Sequence, residues 1–308
     1  MHDIFPWCLE VWNNLISSFQ QNRFPHAILF FGNNGLGKSE LALHLSQYLL
    51  CSDLNKNDTQ TFCGVCKDCV LFLAKTHGDF YEIAPEDGSK SIGVDQIRNL
   101  KAAAHQKPQR NKIKFFVMAR ADKMTVAASN ALLKVLEEPP GESVFILTSE
   151  RKHFLSATVL SRCQQYGFCE PDLEKAEQWL LSTTEHAFSR EAIKEALSWS
   201  LGSPLLALQL LKNNMVIEYQ SYAKPLLEFF SEKSSLYTLS KSWQGKSLAD
   251  IIFVIQITCY YLLKREWTGN YNKKIVYRWS SKVIEIKKML SSGIALNEAL
   301  MLDLLLAD

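Results

Sequence analysis

Apolar residues in the first half of the chain recur in two alternating patterns. Leu9, Trp12, Leu15, Ile16 and Phe19 share one stripe of a 3.6-residue repeat, which predicts an amphipathic helix over 8–20. AILFF at 27–31 is an apolar run without polar interruption, the pattern of a strand buried on both faces of a parallel sheet. A helix over about 38–50 follows, with Leu41, Ala42, Leu45 and Leu49 turned inward. The alternation continues with a strand at 79–83, a helix at 93–106 carrying Val94, Ile97 and Leu100, and a strand at 112–119. A helix at 125–138 stops at Pro139 and Pro140, because proline lacks the N–H and disfavours helix in the residue before it. SVFILTS at 143–149 is a further buried strand. Strands alternating with helices predict a doubly wound α/β domain.

Beyond about residue 168 the strand pattern fades. The remainder reads as helices punctuated by Gly202, Pro204, Pro225, Gly245 and Gly269, with domain boundaries placed near 168 and near 211. IIFVIQITCYYLL at 251–263 is too short to span a bilayer and carries Gln256 and Thr258, so a buried helix is expected. There is no internal repeat and no low-complexity tract.

Composition changes this picture little. The chain has 308 residues, 47% hydrophobic and 21% charged, with a net charge of +2, so the whole molecule is not a strong binder of polyanions. Any nucleic-acid contact needs a local patch or a partner. Lys107, Arg110, Lys112 and Lys114 form a basic run that reads first as a solvated face. The N-terminus lacks a basic region followed by an apolar run, so no secretion signal is expected. Trp243 and Trp267 read as intrachain packing or, if exposed, as interface anchors.

Candidate chemistry begins at GNNGLGKS, residues 32–39. Gly32, Gly35, Gly37, Lys38 and Ser39 satisfy the phosphate-loop pattern between a strand and a helix. Backbone N–H groups would close around phosphates, Lys38 would reach their oxygens, Ser39 would ligate magnesium, and the helix dipole would add to the attraction. A loop that stays empty or holds a structural nucleotide is the alternative. Hydrolysis needs carboxylates at the end of a neighbouring strand. Here KFFVMARADKM puts Ala119 and Arg120 at those positions. Asp122 stands three residues past Ala119, about 10 Å of extended chain, and is expected to start or cap the next helix. The expectation is binding without useful turnover.

Eight cysteines do not suggest a disulfide scaffold in a chain of this length. Cys63, Cys66 and Cys69 lie at two-residue gaps and Cys51 ends the preceding helix, the ligand count and spacing of a closed, structural zinc site. Free thiols or a redox pair are the alternative. Cys8, Cys163, Cys169 and Cys259 are isolated and read as fillers of core or surface.

HAILFFGNNGLGKS, the four-cysteine insertion, IGVDQIR, NALLKVLEEPP and TVLSRC occur in this order over roughly residues 1–210. Together they resemble the bacterial replicative clamp-loader family of DNA polymerase III, its delta prime subunits in particular, with gamma/tau subunits as near neighbours. The resemblance implies a RecA-like α/β AAA+ domain over 1–168 with a zinc module inserted at 51–69, a helical lid over 169–211, and an all-α collar over 212–308. It also implies a cytoplasmic hetero-pentamer with gamma/tau and delta subunits. That assembly acts on a sliding clamp and primed DNA, with no membrane partner. Arg162, an ordinary salt-bridge residue by itself, becomes by this resemblance an arginine finger acting in trans on a gamma/tau site. Thr148 and Ser149 fall where the family carries its nucleotide-sensing polar residue, although strand-end capping explains them equally.

Two departures separate the chain from the motor subunits. These carry Asp-Glu where this chain has Ala119 and Arg120, and an arginine after a Gly-Ser step where LGSPLLAL at 201–208 has none. Both losses imply a non-hydrolysing delta prime stator, with ATP or ADP and magnesium held without turnover. An active gamma/tau-like ATPase recruiting another carboxylate, and a zinc-bearing AAA+ adaptor outside replication, are the competing readings.

Overall fold

In the computed structural model, described over residues 4–53, 61–86, 89, 91–264, 270–291, 301 and 304–306, the first unit is a parallel α/β domain. Its five strands are β1 (Ala27–Phe31), β2 (Phe80–Ile83), β3 (Lys114–Met118), β4 (Ser143–Ser149) and β5 (Gln164–Gly167). They pair in the order β2-β3-β4-β1-β5, all parallel, so β4 lies between the strand that leads into the phosphate loop and β3.

The helices of this unit are α1 (Leu9–Gln20), α2 (Lys38–Leu50), α3 (Lys67–Leu73), α4 (Val94–His105), α5 (Val126–Glu137) and α6 (Ala157–Leu160). One face of the sheet packs Leu29, Phe116, Phe145 and Leu147 against Ile97, Leu100, Leu132 and Val159. The other packs Ile28, Phe30, Phe115 and Ile146 against Trp12, Leu15, Leu41 and Leu45. Both faces are covered, so the strands read as unbroken apolar runs. This is the expected RecA-like AAA+ arrangement, with the cysteine insertion between α2 and β2.

β5, which follows Arg162, is a strand that the apolar pattern does not predict. Gln164–Gly167 pairs with β1 at the sheet edge, and its residues are largely exposed. Its polar sequence carries no hydrophobic pattern, because an edge strand needs to bury little.

The first compact unit comprises Met1–Ala176 with Ser203–Leu206, the second Glu177–Gly202 with Ala207–Asp308. The second is helical, with α7 (Leu173–Thr183), α8 (Arg190–Trp199), α9 (Pro204–Lys212), α10 (Met215–Phe230), α11 (Leu236–Ser242), α12 (Leu248–Lys264) and α13 (Lys273–Ser291), the first and third of which straddle the division. Pro225 does not punctuate this region. It sits inside α10, where Tyr222, Ala223, Leu226 and Phe230 are buried and packing offsets the missing hydrogen bond. α12 is the expected buried helix, with Ile251, Ile252, Val254 and Ile255 inside. Trp243 is fully buried and its indole N–H donates to Tyr222 O at 3.2 Å, so it packs within the chain. Trp267 and Gly269 lie outside the described residues. Among the described residues no helix is long and apolar enough to cross a membrane.

Candidate functional site

The chain leaves β1 at Phe31 and re-enters regular structure at Lys38, with Gly32, Gly35 and Gly37 in between. Gly32 N–H donates to Ser149 O at 3.2 Å, which ties the start of the loop to the end of β4. Gly37 caps α2 at φ +84°, a left-handed conformation, and a Cβ there would come within 2.5 Å of the Phe5 ring. On the far side of the loop, Leu205 N–H donates to Gly35 O at 3.1 Å, and a Cβ on Gly35 would lie 2.7 Å from that of Leu206. Leu205 and Leu206 therefore rest on the loop.

Lys38 is only 7% exposed, and its Nζ donates to Asn33 O at 2.6 Å. Burial lowers its pKa from the usual lysine value, and the charges of Glu150, Glu40 and Asp122 act in the opposite sense. Lys38 and Ser39 line a cavity of about 340 Å³ together with Asn34, Ala119, Arg120, Thr148, Ser149 and Glu150. The fold thus gathers the loop lysine and serine, Thr148, and the two positions that lack carboxylates. The loop glycines, the buried lysine and the helix start fit a phosphate group.

Arg120 takes φ +57°, and its N–H donates to the Thr148 hydroxyl at 3.2 Å, so Thr148 fixes the turn that follows β3. Asp122 does not cap the next helix. Its Oδ1 accepts from Glu150 N–H at 3.3 Å, whereas Thr125 caps α5 by accepting from Ala128 N–H at 3.1 Å. Glu150 escaped the sequence reading. The strand order carries it, because β4 rather than β3 adjoins β1.

The four cysteines converge. Their sulfurs all lie within 4.8 Å of one another, and the separations Cys51–Cys63, Cys51–Cys66 and Cys63–Cys69 are 3.5, 3.9 and 4.0 Å. A tetrahedron of thiolates at ordinary zinc–sulfur bond length has edges of about 3.8 Å. The N–H groups of Cys63, Cys66 and Cys69 donate to the sulfurs of Cys51, Cys63 and Cys66 at 3.5, 3.3 and 3.4 Å, which favours thiolates. The cluster can hold a metal ion such as zinc, and four protein ligands leave no open position. We expect one equivalent of zinc in the purified chain, lost in Cys69→Ser together with thermal stability; unchanged metal content by plasma emission would contradict this. The isolated thiols behave as fillers: burial pushes Cys8, Cys163 and Cys259 up to about 12, and Cys169 is exposed.

A buried polar strap joins this module to the sheet. Asp68, between two of the cysteines, accepts from Arg110 Nε at 2.5 Å and faces His77 Nε2 at 3.3 Å. His77 Nδ1 accepts from Asp79 N–H at 3.1 Å, which leaves the ring proton on Nε2. Asp68 has a lowered carboxyl pKa: burial opposes the shift, and the hydrogen bond and charge of Arg110 impose it. Asp79 is fully buried and accepts from the N–H groups of Gln109, Arg110 and Asn111 at 2.6, 2.8 and 2.9 Å. The basic run is accordingly no uniform solvated face. Arg110 pairs with Asp68, and Lys114 is 1% exposed with Nζ donating to Ala103 O at 2.8 Å.

Arg162 follows α6 and lies apart from the residues that line the phosphate-loop cavity. Its Nη2 is paired with Glu137 Oε1, and Nη1 donates to Thr158 O at 2.8 Å.

A phosphate loop in this strand order, followed by a helical unit, defines a P-loop protein of the AAA+ class. A family model described as DNA polymerase III, delta subunit, matches residues 9–172. Among curated relatives, the delta prime subunit of DNA polymerase III from Haemophilus influenzae is 34% identical over 239 residues, 78% of this chain and 71% of that protein. The Pseudomonas aeruginosa delta prime subunit is 34% identical over 248 residues, 80% and 74% of the two chains. A solved gamma subunit-related protein of Thermotoga maritima aligns at 21% identity with a TM-score of 0.49, over 95% of this chain and 97% of that one. This chain belongs to the DNA polymerase III delta prime family.

Proposed function

We propose that the chain is the stator of a DNA polymerase III clamp loader. It keeps a nucleotide fold, does not hydrolyse nucleotide itself, and presents Arg162 in trans to an ATP site on a neighbouring gamma/tau subunit. One contrast inside one cavity carries this reading. Lys38, Ser39 and Thr148 line it, yet the end of β3 brings Ala119 and Arg120 instead of the carboxylate pair that hydrolysis requires.

ATP or ADP would be held by the backbone of Gly32, Gly35 and Gly37, by Lys38 and by Thr148, with Ser39 on magnesium. Bound magnesium supplies charge neutralisation at the phosphates. In this reading the nucleotide keeps the loop, α2 and the Leu205–Leu206 segment in one arrangement. Arg162 acts elsewhere, as a positive charge aimed at phosphate oxygens of the next subunit. Residues 169–211 serve as lid and 212–308 as collar, in a cytoplasmic hetero-pentamer with gamma/tau and delta subunits that sets a sliding clamp on primed DNA. The Cys51, Cys63, Cys66 and Cys69 zinc site is structural.

The test is reconstitution. The chain is expected to co-elute with gamma/tau and delta subunits, and clamp loading on primed DNA is expected to fail when it is omitted. No association, or loading that proceeds without it, would favour an adaptor outside replication.

A second reading, an active gamma/tau-like ATPase, is favoured by Glu150. This carboxylate lines the cavity beside Lys38 and Ser39, and its charge opposes the lowering of the lysine pKa more than those of Glu40 and Asp122 do.

A further inference from the structure

Arg162 is not left to the solvent by its own chain. α5 ends at Glu137, where Glu138 leaves helical geometry ahead of Pro139 and Pro140. α6 is capped by Ser156, whose hydroxyl accepts from Val159 N–H, and ends at Leu160. Leu132, Val135 and Leu136 of α5 share one core cluster with Val159, so the two helix ends are fixed relative to each other. The guanidinium spans them. Nη2 binds the Glu137 carboxylate, Nη1 binds Thr158 O, and the side chain keeps 30% of its surface exposed.

Each partner has a physical reason. A carboxylate at a helix C-terminus faces the negative end of the dipole, which a cation offsets, and Thr158 O is a terminal helix carbonyl that welcomes a donor. Two anchors on two packed helices hold a side chain that otherwise samples many rotamers. The Glu137 side chain is 47% exposed, and such a pair is worth no more than about fivefold in an equilibrium. That is enough to bias the orientation of Arg162 and too little to withhold it from a polyphosphate.

We propose that Glu137 is the positioning residue for Arg162, holding the guanidinium at the surface so that it meets the phosphates of a nucleotide on the neighbouring subunit. This rests on the trans-acting role of Arg162 proposed above. Arginine already oriented forms its contacts without first losing rotamer freedom, so Glu137 acts on turnover rather than on nucleotide affinity.

The experiment uses the reconstituted loader with clamp and primed DNA, comparing wild type, Glu137→Ala, Glu137→Gln, Arg162→Ala and Glu137→Ala/Arg162→Ala. Glu137→Ala is expected to lower kcat at the served site by about threefold to fivefold, with KM for ATP and thermal stability unchanged. Glu137→Gln keeps an oxygen acceptor and should recover most of that loss. The double variant should be no slower than Arg162→Ala alone, because the two residues act as one unit. Full activity in Glu137→Ala beside a crippled Arg162→Ala overturns the inference and leaves the finger standing. An additive loss in the double variant overturns it in favour of a structural role. An inert Arg162→Ala removes the finger itself, and the inference with it.

Discussion

If Arg162 acts in trans as proposed, Arg162→Ala is expected to leave nucleotide binding by this chain unchanged and to remove turnover at the neighbouring site that the arginine serves. A guanidinium supplied in trans stabilises charge that develops on the transferred phosphoryl group, and its loss costs about a thousandfold or more at that site. Total ATP hydrolysis by the assembled loader should fall by that site's share, and clamp loading should fall further if the steps are sequential. Lysine should not substitute, because a point charge lacks the planar fork that Arg162 offers to Glu137 and Thr158 O. The side chain is partly exposed and its pair with Glu137 is of the weak surface kind, so the melting temperature should stay within about 2 °C. Steady-state hydrolysis and thermal melting of the same preparations separate the two effects.

Asp79→Ala carries the largest expected loss of stability. Its carboxylate accepts from three consecutive backbone N–H groups at 109–111 and is fully buried. Removing it takes away three hydrogen bonds to a charged group, each worth about 1.5–3 kcal/mol, from a turn whose Gln109 and Arg110 are exposed to water. Partial relaxation and entry of water bring the expected total to about 3–5 kcal/mol. The same turn places the Arg110 backbone, whose side chain holds Asp68 between two of the clustered cysteines. Metal retention should therefore weaken alongside stability. Asp79→Asn keeps one oxygen acceptor and should lose about half as much. Denaturant melts with metal content measured on each variant check this; a wild-type melt for Asp79→Ala would show that the turn is held by something else.

These two residues mark what could and could not be read along the chain. The phosphate loop lies within 32–39 and the four-cysteine insertion within 51–69, so both motifs are written locally. β1, β3 and β4 were legible because a strand covered on both faces must be apolar throughout. β5 was not, since Gln164–Gly167 lies at an edge and buries little. Pro225 misled because propensity gave way to the packing of α10. The pairs Asp68–Arg110, Asp79 with 109–111, and Glu137–Arg162 join residues 25 to 42 positions apart, and they exist only once helices and strands have been placed. Glu150 belongs with them, because its position beside Lys38 follows from β4 lying next to β1.

The central claim is that this chain does not burn nucleotide itself, and steady-state ATP hydrolysis by the purified chain alone tests it most directly. No turnover above background is expected, with or without magnesium, and none gained from clamp or primed DNA. Robust turnover that disappears in both Lys38→Ala and Glu150→Gln would contradict it. Glu150 would then be supplying the carboxylate that Ala119 and Arg120 do not.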